Sequence, residues 1–155
     1  MGEAYDHFKV YHKANEYKQR FQNGTRIVSI NWFPGSRIEL GEKGHCSPAI
    51  AQFDEGTVLL NANSRSRSWE FWVTHLGGEK QAQKYEVKMV SSRKDLPTSI
   101  TFQGKVYGSD TSKAQIHSEK DKDGVLELSK SLMKKLGKMG QERFEVPMTY
   151  QLVRK

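Results

Sequence analysis

Phe144, Val146, Met148, Tyr150 and Leu152 fall on every second position, with Glu145, Pro147, Thr149 and Gln151 between them. A period of two over nine residues predicts a half-buried β-strand with its apolar side toward a core. The alternation recurs upstream. Trp69, Phe71 and Val73 oppose Glu70, Trp72 and Thr74; Tyr85, Val87 and Met89 share a side; Ile100 and Phe102 oppose Thr101 and Gln103; Ala49, Ala51 and Phe53 alternate with their neighbours. Arg26-Ile27-Val28-Ser29-Ile30 is rich in β-branched residues and predicts an early strand over 25–31. Shorter strands are expected at 37–40, 57–61 and 125–127.

Turn signals punctuate these runs: Asn23-Gly24, Pro34-Gly35, Gly41 to Gly44, Asp54-Glu55-Gly56 and Gly77-Gly78. Polar stretches at 61–67, 91–97 and 108–123 read as loops, and Gly104 as a bulge. One segment leaves the period of two. Leu128, Leu132, Met133 and Leu136 have helical spacing, with Ser129 placed to cap the start and Gly137 to end it. Pro147 lacks a backbone donor, which predicts an edge position or a bulge for the last strand. Short strands with glycine turns predict an all-β fold: an antiparallel sandwich of about eight strands, with one short helix before the last. Residues 25–155 form that domain. Residues 1–24, with Tyr5, Phe8, Tyr11, Tyr17 and Phe21, stand apart as a coiled-coil stub, an edge strand or an unstructured lead-in.

A chain of 155 residues is long enough for one real core. It has no run of 18 apolar residues and no secretory leader pattern at its start, so no membrane partner is expected. Gly2 suggests myristoylation, but Asp6 stands where that motif needs Ser or Thr. A single cysteine, Cys46, leaves no internal disulfide and no cysteine-based zinc finger, which fits cytosol or nucleus. The net charge of +7 admits nucleic acid or acidic peptides as partners. The basic clusters, such as Lys130, Lys134, Lys135 and Lys138, also read simply as solvated faces.

Catalytic chemistry finds little support. His45 and Cys46 are adjacent, and neighbours on a strand point to opposite sides; Cys46 reads as a small core residue. The five histidines are dispersed, and Asp121-Lys-Asp-Gly124 lacks the downstream glutamate of a calcium loop. No catalytic residue, metal or cofactor is expected in this chain. Trp69, Phe71, Trp72 and Tyr85 could stack on bases, though alternation sends Trp69 and Phe71 inward. Trp72 is on the other side and is the candidate for exposure.

Taken in order, several segments resemble the TRAF-like β-sandwich, most closely the C-terminal substrate-binding domain of seven-in-absentia (Siah-type) ubiquitin ligases. They are Arg26-Ile-Val-Ser-Ile-Asn31 with Pro34-Gly35, Trp69-Glu-Phe-Trp-Val-Thr-His-Leu-Gly77, Gln83-Lys-Tyr-Glu-Val-Lys-Met-Val90, Val125-Leu-Glu-Leu-Ser-Lys-Ser-Leu132, and Phe144-Glu-Val-Pro-Met-Thr-Tyr-Gln-Leu152. The resemblance covers roughly residues 25–153. It implies a module that recruits partner or substrate proteins through short extended peptides, within a ubiquitin ligase or signalling adaptor, and homodimer formation. That family carries a RING and zinc fingers upstream; this chain has neither, so zinc and ubiquitin transfer would belong to other regions. By this resemblance the peptide would lie beside the early strands, at Ile27, Ser29, Arg37, Ile38 and Leu40. Receptor-binding TRAF domains imply instead the middle strands, near Trp72 and Thr101 to Gln103. One departure is clear: Arg37-Ile38-Glu39-Leu40 stands where the relatives carry a tryptophan in their peptide site.

Overall fold

The computed structural model describes residues 5, 16–32, 44–45, 48–93, 95, 97, 99–116, 123–139 and 144–155. Among them the chain runs β1 (Glu16–Lys18), β2 (Arg20–Gln22), β3 (Thr25–Trp32), β4 (Gly44–His45), β5 (Ala49–Phe53), β6 (Gly56–Ser64), β7 (Ser68–His75), α1 (Glu79–Ala82), β8 (Tyr85–Ser92), β9 (Ser99–Lys105), β10 (Tyr107–Gly108), α2 (Lys113–Ile116), β11 (Leu126–Ser129), α3 (Lys130–Leu136), β12 (Lys138–Met139) and β13 (Phe144–Arg154). Eight of these strands have four residues or more, and α3 is the short helix expected shortly before the last strand. The chain is an all-β sandwich of two sheets. The first has the order β1-β5-β6-β7-β10, with β11 also on β7 and β4 on β6. The second has the order β2-β3-β13-β8-β9, with β12 on β13.

Alternation puts Val28, Ile30 and Trp32 of β3, Val87 and Met89 of β8, and Val146, Met148 and Tyr150 of β13 into one core. Ala51, Val58, Leu60, Trp69, Phe71 and Val73 meet them from the first sheet. Each such large side chain contributes roughly 1.5–3 kcal/mol when fully buried. The polar handles inside are matched: the Trp32 indole N–H donates to the Tyr150 hydroxyl at 2.9 Å.

Residues 16–22 of the lead-in join the sandwich as strands at the ends of the two sheets. β1 pairs in parallel with β5 and β2 antiparallel with β3, so one stretch of chain crosses between sheets at Gln19. The Gln19 side chain holds the crossing by donating to Asp54 Oδ1 at 2.7 Å and accepting from the Asp54 N–H at 2.9 Å. Asn23 (φ 52°) and Gly24 (φ 78°) then make a two-residue hairpin, the left-handed pair that Asn-Gly favours.

Several sequence expectations need correction. β6 continues to Ser64, because Asn61, Asn63 and Ser64 pair with Trp72, Glu70 and Trp69 of β7; tertiary pairing overrides the weak strand preference of asparagine. β8 likewise runs to Ser92, paired with Ser99. Gly104 is not a bulge, since the β8–β9 register passes through it unbroken. Its hydrogen is needed for a close approach, as a Cβ there would sit 2.3 Å from the Asp123 carbonyl oxygen. Gly137 ends α3 in extended backbone (φ −83°, ψ 168°), while Ser129 caps the start by accepting from the Leu132 N–H at 3.1 Å.

Pro147 is the most instructive case. β13 is central, not an edge, yet its pairing with β8 spans only residues 149–154. The Pro147 carbonyl accepts from the Ser91 hydroxyl at 2.7 Å, so it faces the β8 side. A residue's N–H points the same way as its carbonyl in an antiparallel ladder. The missing donor therefore faces the side where the ladder has already ended. The Pro34-Gly35 turn, the expected strand at 37–40 and Cys46 lie outside the described residues. No helix among the described residues is long and apolar enough to cross a membrane.

Candidate functional site

The two sheets treat their outer faces differently. On the first, Ile50, Leu59 and Leu76 form an apolar cluster outside the main core, and Tyr5 packs on it. Further along the same face, Trp72 forms another cluster with Tyr107, Ile116 and Val125. Trp72 is therefore 5% exposed, and the expected surface position is not found. It points away from the core as alternation requires, but α2 carries Ile116 over it. Glu70, also outward on β7, is buried and receives the Arg65 guanidinium.

The outer face of the second sheet carries Ser29 and Asn31 from β3, Thr149 and Gln151 from β13, Lys88 and Val90 from β8, and Thr101 and Gln103 from β9. Register sets them in rows: Thr149 stands between Ser29 and Val90, and Lys88 between Gln151 and Gln103. Two adjoining depressions open there. One, of about 400 Å³, is lined by Tyr17, Arg20, Ser29, Asn31, Pro147 and Thr149 among others. The other, of about 310 Å³, is lined by Gln22, Thr25, Ile27, Lys88, Val90, Thr149 and Gln151 among others. Thr149 is their shared wall.

Local chemistry holds these walls in place. The Ser29 and Thr149 hydroxyls are 3.1 Å apart in a hydrogen bond that links β3 to β13. Arg20 Nη2 donates to Ser29 Oγ at 3.2 Å, tying the edge strand β2 to the same pair. Ile27 faces outward beside the inward Val28, yet it is only 6% exposed and gives the second depression an apolar floor. Hydroxyls, amides and two cations over a partly apolar floor can bond to an extended backbone and its side chains. Among the described residues, no group of three or more His, Cys, Asp or Glu side chains is placed to hold a metal ion. His75 is buried and committed to structure: its Nδ1 accepts from the Gly77 N–H at 2.9 Å, and its Nε2 lies 3.2 Å from the Glu55 carbonyl.

Of the site residues named from sequence, Ile27 and Ser29 line these depressions. Trp72 belongs to the other sheet, and Arg37, Ile38 and Leu40 lie outside the described residues. Sequence reasoning missed Arg20, Lys88, Thr149 and Gln151. For Thr149 and Gln151 the signal was present, as the polar half of the last strand's alternation. Comparison with protein-family models and with curated proteins finds no match for this chain. What the fold and the site define is a class: a β-sandwich with one outer face covered and the other open and grooved.

Proposed function

We propose that this chain is a protein-interaction module of TRAF-like, Siah-type character that recruits partners by holding a short extended peptide on the open face of the second sheet. The observation that carries the reading is the pair of adjoining depressions around Thr149. From Thr25 to Asn31 the face runs roughly 20 Å at about 3.4 Å per residue, enough for about six extended residues. Alternate peptide side chains would enter the depressions while polar groups meet the backbone, the usual division between specificity and affinity in such recognition. Among the described residues, β2 and β9 are the end strands of this sheet and present ladder edges beside the groove. On this reading the parent protein is a ubiquitin ligase or signalling adaptor, acting in cytosol or nucleus, with homodimer formation as the resemblance implies.

Two observations favour a peptide over nucleic acid. The four aromatic residues expected from sequence to stack on bases, Trp69, Phe71, Trp72 and Tyr85, are each buried, and the exposed Phe21 on β2 is already capped by the Arg26 guanidinium 5.5 Å from its ring centroid. The outer face also carries both signs of charge, with Glu86 opposite Lys105 and Glu145 opposite Lys138. Peptide display against the wild type and Thr149→Trp, which fills the shared wall, tests the proposal. A short motif enriched by the wild type and lost in the variant, with melting unchanged, is expected. Recovery of the same motif by both proteins would rule out this face.

A further inference from the structure

Resting on that peptide-binding reading, we infer that the open face selects an acidic extended peptide, taking one carboxylate at Arg20 and a second at Lys88. Each depression has a cation in its wall, Arg20 in one and Lys88 in the other. Among the described residues, neither depression has a carboxylate in its lining. Three other arginines are neutralised locally, Arg26 by Asp54, Arg65 by Glu70 and Arg93 by Asp95, whereas Arg67 and Arg154, which line neither depression, are not in such pairs among the described residues. Among the described residues Arg20 and Lys88 belong to no such pair. Glu86 lies two residues from Lys88 on β8 and is outside both linings.

The geometry around Arg20 suits an anion. Its Nη2 donates to Ser29 Oγ, which anchors the guanidinium and leaves further N–H donors of the fork free to turn toward the depression. The one hydroxyl hydrogen left over from the Ser29–Thr149 hydrogen bond and the Asn31 amide add donors around the same space. Lys88 stands across β13 from β3, flanked by Gln151 and Gln103. An extended chain presents residues two or four apart on the same side. The preferred ligand therefore carries acidic side chains at alternate positions, separated by small or hydroxylated residues that fit over Ile27 and Val90.

The test is fluorescence anisotropy with a labelled ten-residue peptide alternating Thr and Glu, against the same peptide with Gln for Glu, at about 0.15 M salt. The Glu peptide is expected to bind about tenfold tighter, since each carboxylate gains a charge-assisted hydrogen bond. Arg20→Gln and Lys88→Gln should each weaken it about threefold to tenfold. Arg26→Gln, whose guanidinium is held by Asp54, should leave it unchanged. Circular dichroism confirms that the variants stay folded. Equal binding of the two peptides, with both lost in Thr149→Trp, overturns the acidic preference and leaves the peptide site standing. Equal weakening by Arg26→Gln reduces the effect to general charge and overturns the assignment. So does a thymidine decamer that binds tighter than the Glu peptide with the same Arg20 dependence, and so does no binding of the Glu peptide at about 1 mM. If display selection on the wild type is also empty, the peptide-binding reading falls with it.

Discussion

The outer side of the first sheet carries Ile50, Leu59 and Trp72, with Leu76 just past β7, and other parts of the chain cover them. The outer side of the second carries Ser29, Asn31, Thr149, Gln151 and Lys88 around the apolar Ile27 and Val90, and two depressions lie open over them. Both sheets share one core and one kind of alternation. What separates them is visible in the strands. β5, β6 and β7 carry apolar residues at both parities, as in Ala49-Ile50-Ala51, Val58-Leu59-Leu60 and Phe71-Trp72-Val73. Such runs mark a sheet buried on both sides. β13 alternates strictly, the mark of a sheet with one wet face. A covered face supplies stability, and an open grooved face is free to meet a partner.

The largest effect that tests this contrast is truncation on the covered face. Trp72→Ala should cost about 3–5 kcal/mol and Ile50→Ala about 2–5 kcal/mol in denaturant unfolding. Gln151→Ala on the open face should stay within about 0.5 kcal/mol. Similar costs on both faces would erase the distinction. The shared interior gives the next effect: Tyr150→Phe leaves the buried Trp32 indole N–H without its acceptor, at about 1–3 kcal/mol, read from the same unfolding curves. Ser129→Ala removes the cap of α3 and should cost about 1 kcal/mol without changing ligand affinity at the open face. The smallest effect is electrostatic. The Arg93 guanidinium hydrogen-bonded to Asp95 holds that carboxyl below its ordinary value of 3.8. Its folded pKa is depressed, so its stabilisation is complete above about pH 4 and is lost as pH falls through the folded value. Asp95→Asn should remove that small stabilisation at neutral pH, flatten the acid limb of the stability profile slightly, and leave stability below the folded value unchanged.

Legibility followed locality. β7, β13 and the Ser129 cap were readable because period and cap lie within a few residues of one another. The Asn23-Gly24 hairpin was readable for the same reason, through its two left-handed residues. The central place of Pro147 was not, because it depends on where β8 stops pairing. The full length of β6 was hidden because Asn-Ala-Asn-Ser is polar, and only pairing with β7 makes it a strand. The burial of Trp72 depends on Tyr107, Ile116 and Val125, all distant in sequence. The candidate site is the extreme case. Ser29 and Thr149 bond across 120 residues, and Arg20 and Lys88 come from two further strands. Alternation could say that these residues face outward, but not that they share a groove.

The most direct measurement of the central claim is amide chemical-shift mapping by NMR, titrating the labelled chain with the alternating Thr-Glu peptide. The account predicts shifts concentrated at Arg20, Ile27, Ser29, Lys88, Thr149 and Gln151, with Leu59, Trp72 and Leu76 unmoved. Shifts centred on the first sheet's outer face, with the Thr149 region silent, would contradict it.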